Sequence, residues 1–305
     1  MIKLRGCGVE RLGGRVRLLE LTGPVAGPGQ IVVAVESAGV GAWDPLLPGA
    51  DWDVGLRPPA AMGVEGAGVV VAIGAGVAEF AVGDAVLAHE APLPGGSGFW
   101  AERVLVNAAH AARRPPHLDI ATAGALPVSG LTARQAVDAL GLESGARVLV
   151  TGGAGTTGSL TVQVAALAGL AVTTTASPSS AEWLRSVGAT DVIDYHDADW
   201  PAVVELGFDA AVVSAPGTAA DAVRCVRDGG RIVALVSDRL VEKRGISATT
   251  LYVRPDAQQL ADLAQMLADG RITLEPTVMS LEDGPDVFAR VVDGRAAGTK
   301  FVLSP

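Results

Sequence analysis

The chain has 305 residues, of which 49% are hydrophobic and 18% charged, and its formal net charge is -10 at pH 7. This length corresponds to about two domains, and the composition is that of a globular chain rather than a disordered one. The negative charge repels phosphate backbones, so we expect no nucleic-acid partner, RNA included. Every apolar run is shorter than the roughly 20 residues that cross a bilayer, so we expect no membrane span.

The amino terminus and the cysteines point to a reducing compartment. Residues 1–10 contain no apolar segment followed by a cleavage site, so we expect a cytoplasmic protein. Cys7 and Cys225 are far apart and lack CxxC spacing. We therefore expect two reduced thiols with packing roles.

Short β-rich runs occupy the first third of the chain. They lie at 31–36, 68–73, 85–88 and 102–106, and glycines and prolines separate them. Short strands at this spacing predict a compact all-β unit.

From residue 120 onward, strands alternate with helices. We predict helices at 120–140, 158–168 and 256–269, and strands at 147–151, 171–176, 191–193, 210–213, 231–236 and 300–303. This alternation is typical of an α/β fold in which crossover helices join the strands of a doubly wound parallel sheet.

A glycine-rich motif follows the first of these strands. It reads Gly153-Ala-Gly155-Thr-Thr-Gly158 and opens the next helix. Glycines allow a tight turn and a close approach of the backbone to a pyrophosphate, and a helix amino terminus offers N–H groups and a positive dipole end. Because strand, loop and helix occur together, the motif predicts a dinucleotide site rather than an ordinary tight turn.

The end of the second strand bears on the choice between NADPH and NADH. An acidic residue there would bond the ribose 2'-hydroxyl and repel a 2'-phosphate. Residues 173–180 contain no acidic residue, and Ser177 and Ser180 offer hydroxyls that can donate to a phosphate. We therefore expect NADPH. Two observations leave the alternative open: the serines could simply cap the next helix, and the segment has no Arg or Lys.

Several motifs together resemble a known family. Gly-Val-Glu-Gly-Ala-Gly begins at Gly63, Leu-Pro-Val-Ser-Gly-Leu-Thr-Ala at Leu126, and Val-Gly-Ala-Thr-Asp-Val-Ile-Asp-Tyr at Val187. In this order they resemble the zinc-independent, quinone oxidoreductase-like branch of the medium-chain dehydrogenase/reductase superfamily, from about residue 31 to the end. The resemblance implies a Rossmann domain at 119–270, inserted in a GroES-like β-barrel substrate domain formed by 1–118 and 271–305.

The resemblance also implies cofactor contacts. The loop 152–158 would hold the pyrophosphate, the hydroxyl of Thr132 would contact the nicotinamide end, and three further residues would surround the adenosine phosphate. The implied residues are Gly152, Gly153, Gly155, Thr156, Thr157, Gly158, Thr132, Ser177, Ser180 and Tyr195. By themselves, Thr132 and Tyr195 would be interpreted as a helix residue and a half-buried aromatic.

The resemblance further implies that no metal is bound. Zinc alcohol dehydrogenases of the superfamily use a Cys and the His of a GHE motif, and the corresponding positions here are Gly41 and Val64. Neither can supply the sulfur or nitrogen that tetrahedral zinc requires. The histidines are scattered, and we expect solvated or core-edge roles for them: His89, His110, His117 and His196.

Without a Lewis acid, alcohol oxidation is disfavoured, and reduction of a quinone or an α,β-unsaturated carbonyl is expected. The family usually shows Asn-Pro-x-Asp where this chain has Gly41, Ala42, Trp43 and Asp44, so Asp44 is kept and the Asn is lost. The catalytic candidates are Tyr252 as proton donor, Asp44 as a group that orients ribose or water, and Trp43 and Trp52 as pocket walls.

Structural alternatives remain for these candidates. The tryptophans could serve in packing, and Asp44 could cap the following turn or pair with Arg57. The missing Asn also permits an NADP(H)-binding protein with a specialised or non-redox role in a biosynthetic pathway. Reductases of this type often dimerise through sheet edges, so we expect a homodimer.

Overall fold

The computed structural model describes residues 2–49, 51, 53–197, 199–203, 207–240, 243–296 and 298–305. The chain forms two compact units. Unit 1 comprises Met1–Leu131 and Arg254–Pro305, and unit 2 comprises Thr132–Val253.

Antiparallel strands build the first part of unit 1. They are β1 (Lys3–Val9), β2 (Arg17–Thr22), β3 (Gln30–Val40), β4 (Ala60–Ala61), β5 (Glu65–Ile73), β6 (Ala85–His89), β7 (Arg103–Asn107) and β8 (Ala111–Arg113). β1 pairs with β2 and β4, while β3 pairs with β5 and β7, β5 with β6, and β6 with β8. The strands predicted at 31–36, 68–73, 85–88 and 102–106 correspond to β3, β5, β6 and β7.

The sequence analysis does not predict the strands β1, β2 and β4. β1 contains Gly6 and Gly8, and glycine is a poor strand former. A Cβ at Gly8 would lie 1.9 Å from the carbonyl oxygen of Ala60, so the pairing of β1 with β4 requires a glycine there. A residue that weakens the strand signal is therefore the one that permits the pairing.

Two helices stand where the sequence predicts one at 120–140. They are α1 (Ile120–Ala125) and α2 (Pro127–Leu140). Pro127 has no N–H to donate, which separates the two segments. Asp119 caps α1, because its carboxylate accepts a 3.0 Å hydrogen bond from the backbone N–H of Thr122. α1 packs on β3 and β5, and unit 1 extends through it to Leu131.

Unit 2 alternates strands and helices. Its elements are β9 (Arg147–Thr151), α3 (Thr156–Leu167), β10 (Ala171–Ala176), α4 (Ala181–Ser186), β11 (Asp191–Asp194), α5 (Trp200–Val203), β12 (Phe208–Val213), α6 (Ala219–Cys225), β13 (Val226–Ala234) and β14 (Ser247–Thr250). The strands pair in parallel in the order β11-β10-β9-β12-β13-β14. This is the doubly wound order of a Rossmann sheet, and the predicted α/β class is confirmed.

The sheet of unit 2 is buried on both faces in its centre, as crossover helices dictate. Val148, Leu149 and Val150 of β9 are fully buried, and so are Val212 and Val213 of β12. The turn after β9 therefore follows directly from a strand that is packed in the core.

The last part of the chain returns to unit 1 as α7 (Ala257–Ala268), β15 (Thr277–Ser280), α8 (Gly284–Val292) and β16 (Phe301–Ser304). β16 pairs antiparallel with β3 and parallel with β15, which extends the sheet to β15-β16-β3-β5-β6-β8. α7 packs against β8, and unit 1 resumes at Arg254. In the described part of the chain, no helix has the length and apolarity of a membrane span.

Candidate functional site

The turn between β9 and α3 is tied to the next strand by hydrogen bonds. Gly152 has a φ of 73°, in the left-handed region that favours glycine. Its N–H donates to the hydroxyl of Thr175 at 2.9 Å, and the N–H of Gly153 donates to the carbonyl of Thr175 at 2.9 Å. The loop therefore has a fixed position at the carboxyl edge of the sheet.

Three glycines of this loop face different surroundings. A Cβ at Gly153 would lie 2.1 Å from the hydroxyl of Thr174, and one at Gly158 would lie 2.1 Å from the carbonyl oxygen of Gly152, so neither position has room for a side chain. A Cβ at Gly155 would have the carbonyl oxygen of Gly152 as its nearest atom, at 3.5 Å. Gly155 therefore leaves an open cradle at the start of α3.

This cradle fits the pyrophosphate of a dinucleotide. The helix dipole and the direction of the backbone N–H groups favour an anion at the amino terminus of a helix. A side chain at Gly155 would project into this open space.

Hydroxyl groups gather at the carboxyl ends of β10 and β11. Ala176 and Asp194 are partners in the parallel pairing, so Ser177 and Tyr195, the residues after them, are neighbours. The N–H of Tyr195 donates to the carbonyl of Ala176 at 3.4 Å, and 53% of the Tyr195 surface is exposed. The Ser177 hydroxyl lies 2.9 Å from that of Ser179.

The serines at this edge do not act as helix caps. Ser177 precedes a 3-10 turn and Ser180 precedes α4, yet neither side chain makes a capping hydrogen bond. The capping alternative is therefore wrong.

His196 completes this edge, although the sequence indicated no role for it. Its ring stacks on Tyr195, with ring centroids 4.2 Å apart and an interplanar angle of 28°. Its Nδ1 lies 2.7 Å from Oδ1 of Asp194. Hydrogen bonds from the backbone and the ring of His196 hold the pKa of the Asp194 carboxyl below its usual value.

Thr132 and Tyr252, the other candidates in unit 2, lie in different elements. Thr132 is a half-buried residue of α2, and Tyr252 follows β14 with 78% of its surface exposed. The candidates Trp43 and Asp44 belong to unit 1, so candidate residues are distributed over both units. Trp52 lies outside the described residues.

The segment after β3 buries a carboxyl group. Asp44 is fully buried, and its Oδ2 accepts a 2.7 Å hydrogen bond from the N–H of Gly41. Burial raises the pKa of Asp44 to about 8, against the opposing effects of the Gly41 hydrogen bond and the Lys300 ammonium. Asp44 thus neither caps the following turn nor pairs with Arg57, because its hydrogen bond is to a residue that precedes it.

Trp43 lies over the backbone of Gly41. A Cβ at Gly41 would come within 2.3 Å of Cζ2 in the indole ring. The centroid of the same indole ring lies 4.8 Å from Nζ of Lys300, which is a cation–π arrangement. The ring of Trp43 therefore occupies the space that a side chain at position 41 would take.

A buried ion pair lies next to this segment. Nζ of Lys300 donates to Oε1 of Glu65, and the N–H of Val128 donates to Oε2 of Glu65 at 2.6 Å. Burial raises the pKa of Glu65, and the Lys300 ammonium acts in the opposite direction. The pair joins β5 to the residue before β16 and to the start of α2.

The donor set around Gly41 and Val64 does not fit zinc. Neither residue has a ligand atom in its side chain, and the neighbouring Glu65 carboxylate is bound to an ammonium. His89 directs Nδ1 at the carbonyl of Val64, 3.0 Å away, and burial lowers its pKa to about 4. Within the described residues, no three His, Cys, Asp or Glu side chains stand close enough to hold a metal.

His89 and His110 have structural surroundings. His89 is fully buried, so a solvated role is wrong for it. Nδ1 of His110 lies 2.9 Å from the buried carboxylate of Glu90, which also accepts hydrogen bonds from the backbone and side chain of Asn107.

Known proteins are similar to this chain in sequence. Residues 27–116 match the family model of the alcohol dehydrogenase GroES-like domain, and residues 187–303 match that of zinc-binding dehydrogenases. The chain is 30% identical over 259 residues to a chloroplast envelope quinone oxidoreductase homolog of Arabidopsis thaliana, with 78% of each chain covered. It is 32% identical over 244 residues to a chloroplastic NADPH-dependent alkenal/one oxidoreductase of that plant, covering 77% of this chain and 60% of the relative.

A solved structure gives the same picture of the fold. The quinone oxidoreductase from Coxiella burnetii superimposes over the full length of both chains with a TM-score of 0.90, at 22% identity. The fold is therefore that of a medium-chain dehydrogenase/reductase, with a GroES-like part and a Rossmann sheet. The chain belongs to the quinone oxidoreductase-like branch of this superfamily, whose members are oxidoreductases with a nicotinamide cofactor.

Proposed function

We propose that the protein is an NADPH-dependent reductase that transfers hydride to a quinone or an α,β-unsaturated carbonyl, such as an enone or an enoyl compound, without a metal. The observation that carries the proposal is the open cradle at Gly155, placed beside the hydroxyl-bearing edge of β10 and β11. The names of the two plant relatives, a quinone oxidoreductase homolog and an NADPH-dependent alkenal/one oxidoreductase, support this acceptor class.

The residues of unit 2 bind the cofactor in this proposal. The loop 152–158 holds the pyrophosphate with its backbone, and Ser177, Ser180 and Tyr195 surround the adenosine phosphate. Thr132 contacts the nicotinamide end. A nicotinamide bound in this way supplies a hydride to the electron-poor carbon of the acceptor.

Tyr252 has a role at the acceptor in this proposal. The phenol of Tyr252 gives the proton that the reduced acceptor needs. Asp44 is a positioning residue, since its carboxyl holds the N–H of Gly41 and thereby the backbone beneath the Trp43 ring. Tyr252→Phe tests the proton donor: we expect kcat to fall by about 100-fold or more with NADPH affinity unchanged.

The metal-free part of the proposal rests on the donor set. Gly41 and Val64 offer no ligand atoms, and the Lys300 ammonium neutralises Glu65. We expect turnover to survive prolonged chelation. Activity that is lost to a chelator and restored by zinc would contradict this part alone.

A second function is favoured by the contact of Trp43 with Gly41. Because the ring leaves no room for a side chain at position 41, a group that could contact nicotinamide ribose or substrate is missing. The alternative is an NADP(H)-binding protein with a specialised or non-redox role. Titration with NADPH and NADH, followed by assays with quinones, alkenals and enoyl thioesters, separates a reductase from a protein that only binds.

Assembly and location belong to the same proposal. β14 ends the parallel sheet within the described residues, and such an edge can pair across a two-fold axis, so we propose a homodimer. Light scattering should give twice the chain mass, and a monomer at micromolar concentration would contradict it.

Cys7 and Cys225 are buried free thiols, and burial raises their pKa values to about 12 and about 11, which is compatible with the proposed cytoplasmic location.

A further inference from the structure

The edge formed by β10 and β11 holds one titratable ring whose use the proposed function leaves open. His196 follows Tyr195 and stacks on it, with the ring centroids 4.2 Å apart. Because Tyr195 is next to the end of β10, the imidazole belongs to the hydroxyl-bearing edge that contains Ser177. These contacts fix the ring at the place proposed for the adenosine phosphate.

Asp194 sets the orientation of this ring. Its Oδ1 lies 2.7 Å from Nδ1 of His196 and accepts a 3.0 Å hydrogen bond from the backbone N–H of His196. A carboxylate bound in this way favours an N–H at Nδ1 and so leaves Nε2 as the other ring nitrogen. No described residue hydrogen-bonds to Nε2, so the second ring nitrogen is open to an external acceptor.

The segment that forms this edge contains few basic residues. Among residues 173–199, His196 and Arg185 are the only basic side chains. Arg185 lies 3.8 Å from Asp191, which begins β11, whereas His196 follows its end. Four residues of a parallel strand span about 10 Å, so Arg185 lies near the opposite end of β11 from His196.

The charged residues that follow His196 in the chain are acidic. They are Asp197, whose carboxylate accepts from the N–H of Asp199 at 3.0 Å, and Asp199 itself. A nucleotide 2'-phosphate carries up to about two negative charges and needs a compensating donor in such surroundings. Protonated His196 supplies one, while neutral His196 leaves only hydroxyls.

We propose that His196 recognises the 2'-phosphate of NADPH through Nε2, and that protonation of His196 sets the preference for NADPH over NADH. This inference rests on the proposed nucleotide site and deepens it. NADH carries a hydroxyl at the 2' position, so its binding does not depend on the charge of the ring.

Equilibrium titration of the intact protein with each nucleotide, from pH 5.5 to 8.5, provides the test. We expect the ratio of the NADH and NADPH dissociation constants to fall about 10-fold from the acidic to the alkaline end of this range. The 2'-phosphate also titrates, near about pH 6, and this contribution is common to every variant.

Two substitutions isolate the ring. His196→Gln keeps a hydrogen bond to Asp194 but cannot be protonated, so its NADPH preference should stay at the level of the unchanged protein at pH 8.5. His196→Lys carries a permanent charge and should keep a high preference up to pH 8.5. His117→Gln replaces an exposed histidine of unit 1 and should leave the ratio unchanged.

Asp194→Asn tests the positioning role of the carboxylate. The ratio of the NADH and NADPH dissociation constants should fall, because the ring loses the carboxylate that orients it. A structural role alone would lower the affinity for both nucleotides equally and leave the ratio unchanged.

The outcomes distinguish this inference from the proposed function. If His196→Gln shows the same ratio and pH profile as the unchanged protein, or if NADH binds more tightly at every pH, the role of His196 is refuted while the nucleotide site stands. If the unchanged protein binds neither nucleotide, the proposed function fails and this inference fails with it.

Discussion

The indole of Trp43 covers the α-carbon of Gly41, so that a Cβ at position 41 would lie 2.3 Å from Cζ2 of the ring. The two residues are therefore coupled, and one cannot gain a side chain while the other keeps its ring in place. The coupling gives a physical reason for the Gly that stands where the family usually has Asn.

The Gly41–Trp43 coupling predicts a double-mutant cycle. Gly41→Asn alone should lower the free energy of unfolding by about 1 to 3 kcal/mol, because it overpacks the segment. Combined with Trp43→Ala, the same change should cost less, with a coupling of about 1 kcal/mol or more. Urea unfolding of the two single variants and the double variant checks this. Strictly additive losses would mean that the ring moves aside freely.

Buried Asp44 predicts a pH-dependent stability. Its pKa is about 8 in the folded protein against an ordinary 3.8, so its contribution to stability is fully present below pH 3.8 and is lost as the pH rises through 8. Asp44→Asn keeps an acceptor for the Gly41 N–H without the charge. At pH 9 the variant should be more stable than the unchanged protein by about 1 to 3 kcal/mol, with a smaller difference at pH 6.

Urea unfolding at the two pH values measures this difference. Asp51→Asn removes an exposed carboxylate of the same segment and serves as the control, with no change expected between the two pH values. A variant that is less stable than the unchanged protein by the same amount at both pH values would show that Asp44 acts through its hydrogen bond and not through its buried charge.

The pair of Glu65 and Lys300 predicts an asymmetry between single and double substitutions. Lys300→Met leaves a buried carboxylate without its cation and should cost about 3 to 5 kcal/mol. Glu65→Gln combined with Lys300→Met removes both charges and should recover most of this loss, since the Gln oxygen can still accept from the N–H of Val128. Thermal unfolding compares the variants. A double variant as unstable as Lys300→Met would contradict the electrostatic explanation.

The open cradle at Gly155 predicts a selective loss of binding. Its φ of -74° suits any residue, and a built Cβ meets only one atom, at 3.5 Å, so Gly155→Glu should fold normally. The carboxylate would occupy and repel the pyrophosphate, so nucleotide affinity should fall by about 100-fold or more. Fluorescence titration and a melting curve measure the two effects.

Ala168→Glu provides the matched control for Gly155→Glu. It adds the same charge at the exposed carboxyl end of α3, about 18 Å along the helix from the cradle. Its nucleotide affinity should match that of the unchanged protein. Equal losses in both variants would indicate a general effect of charge rather than a blocked phosphate site.

The sequence predicts those parts of the fold that depend on local patterns. The strand, glycine loop and helix at 147–168 are contiguous, so the sequence predicts a dinucleotide site there without the tertiary structure. β1 is different, because its pairing with β4 depends on a glycine that permits close approach and weakens the strand signal.

The rest of the site depends on contacts between distant segments. The pKa of Asp44 reflects burial and Lys300, which is 256 positions away in the chain. Ser177 and Tyr195 become neighbours only through the register of β10 with β11, and the ring of His196 stacks on Tyr195 at the same edge. Spacing alone cannot reveal such relationships, which is why the sequence predicts only a solvated or core-edge role for this histidine.

The most direct test of the central claim is the oxidation of NADPH by the purified protein, followed by nicotinamide absorbance with a panel of quinones, alkenals and enoyl thioesters. The proposed function predicts tight NADPH binding and oxidation that requires one of these acceptors and is lost in Gly155→Glu. NADPH binding without turnover for any acceptor would contradict the reductase and favour a non-redox role, and the absence of nucleotide binding would contradict the proposed site itself.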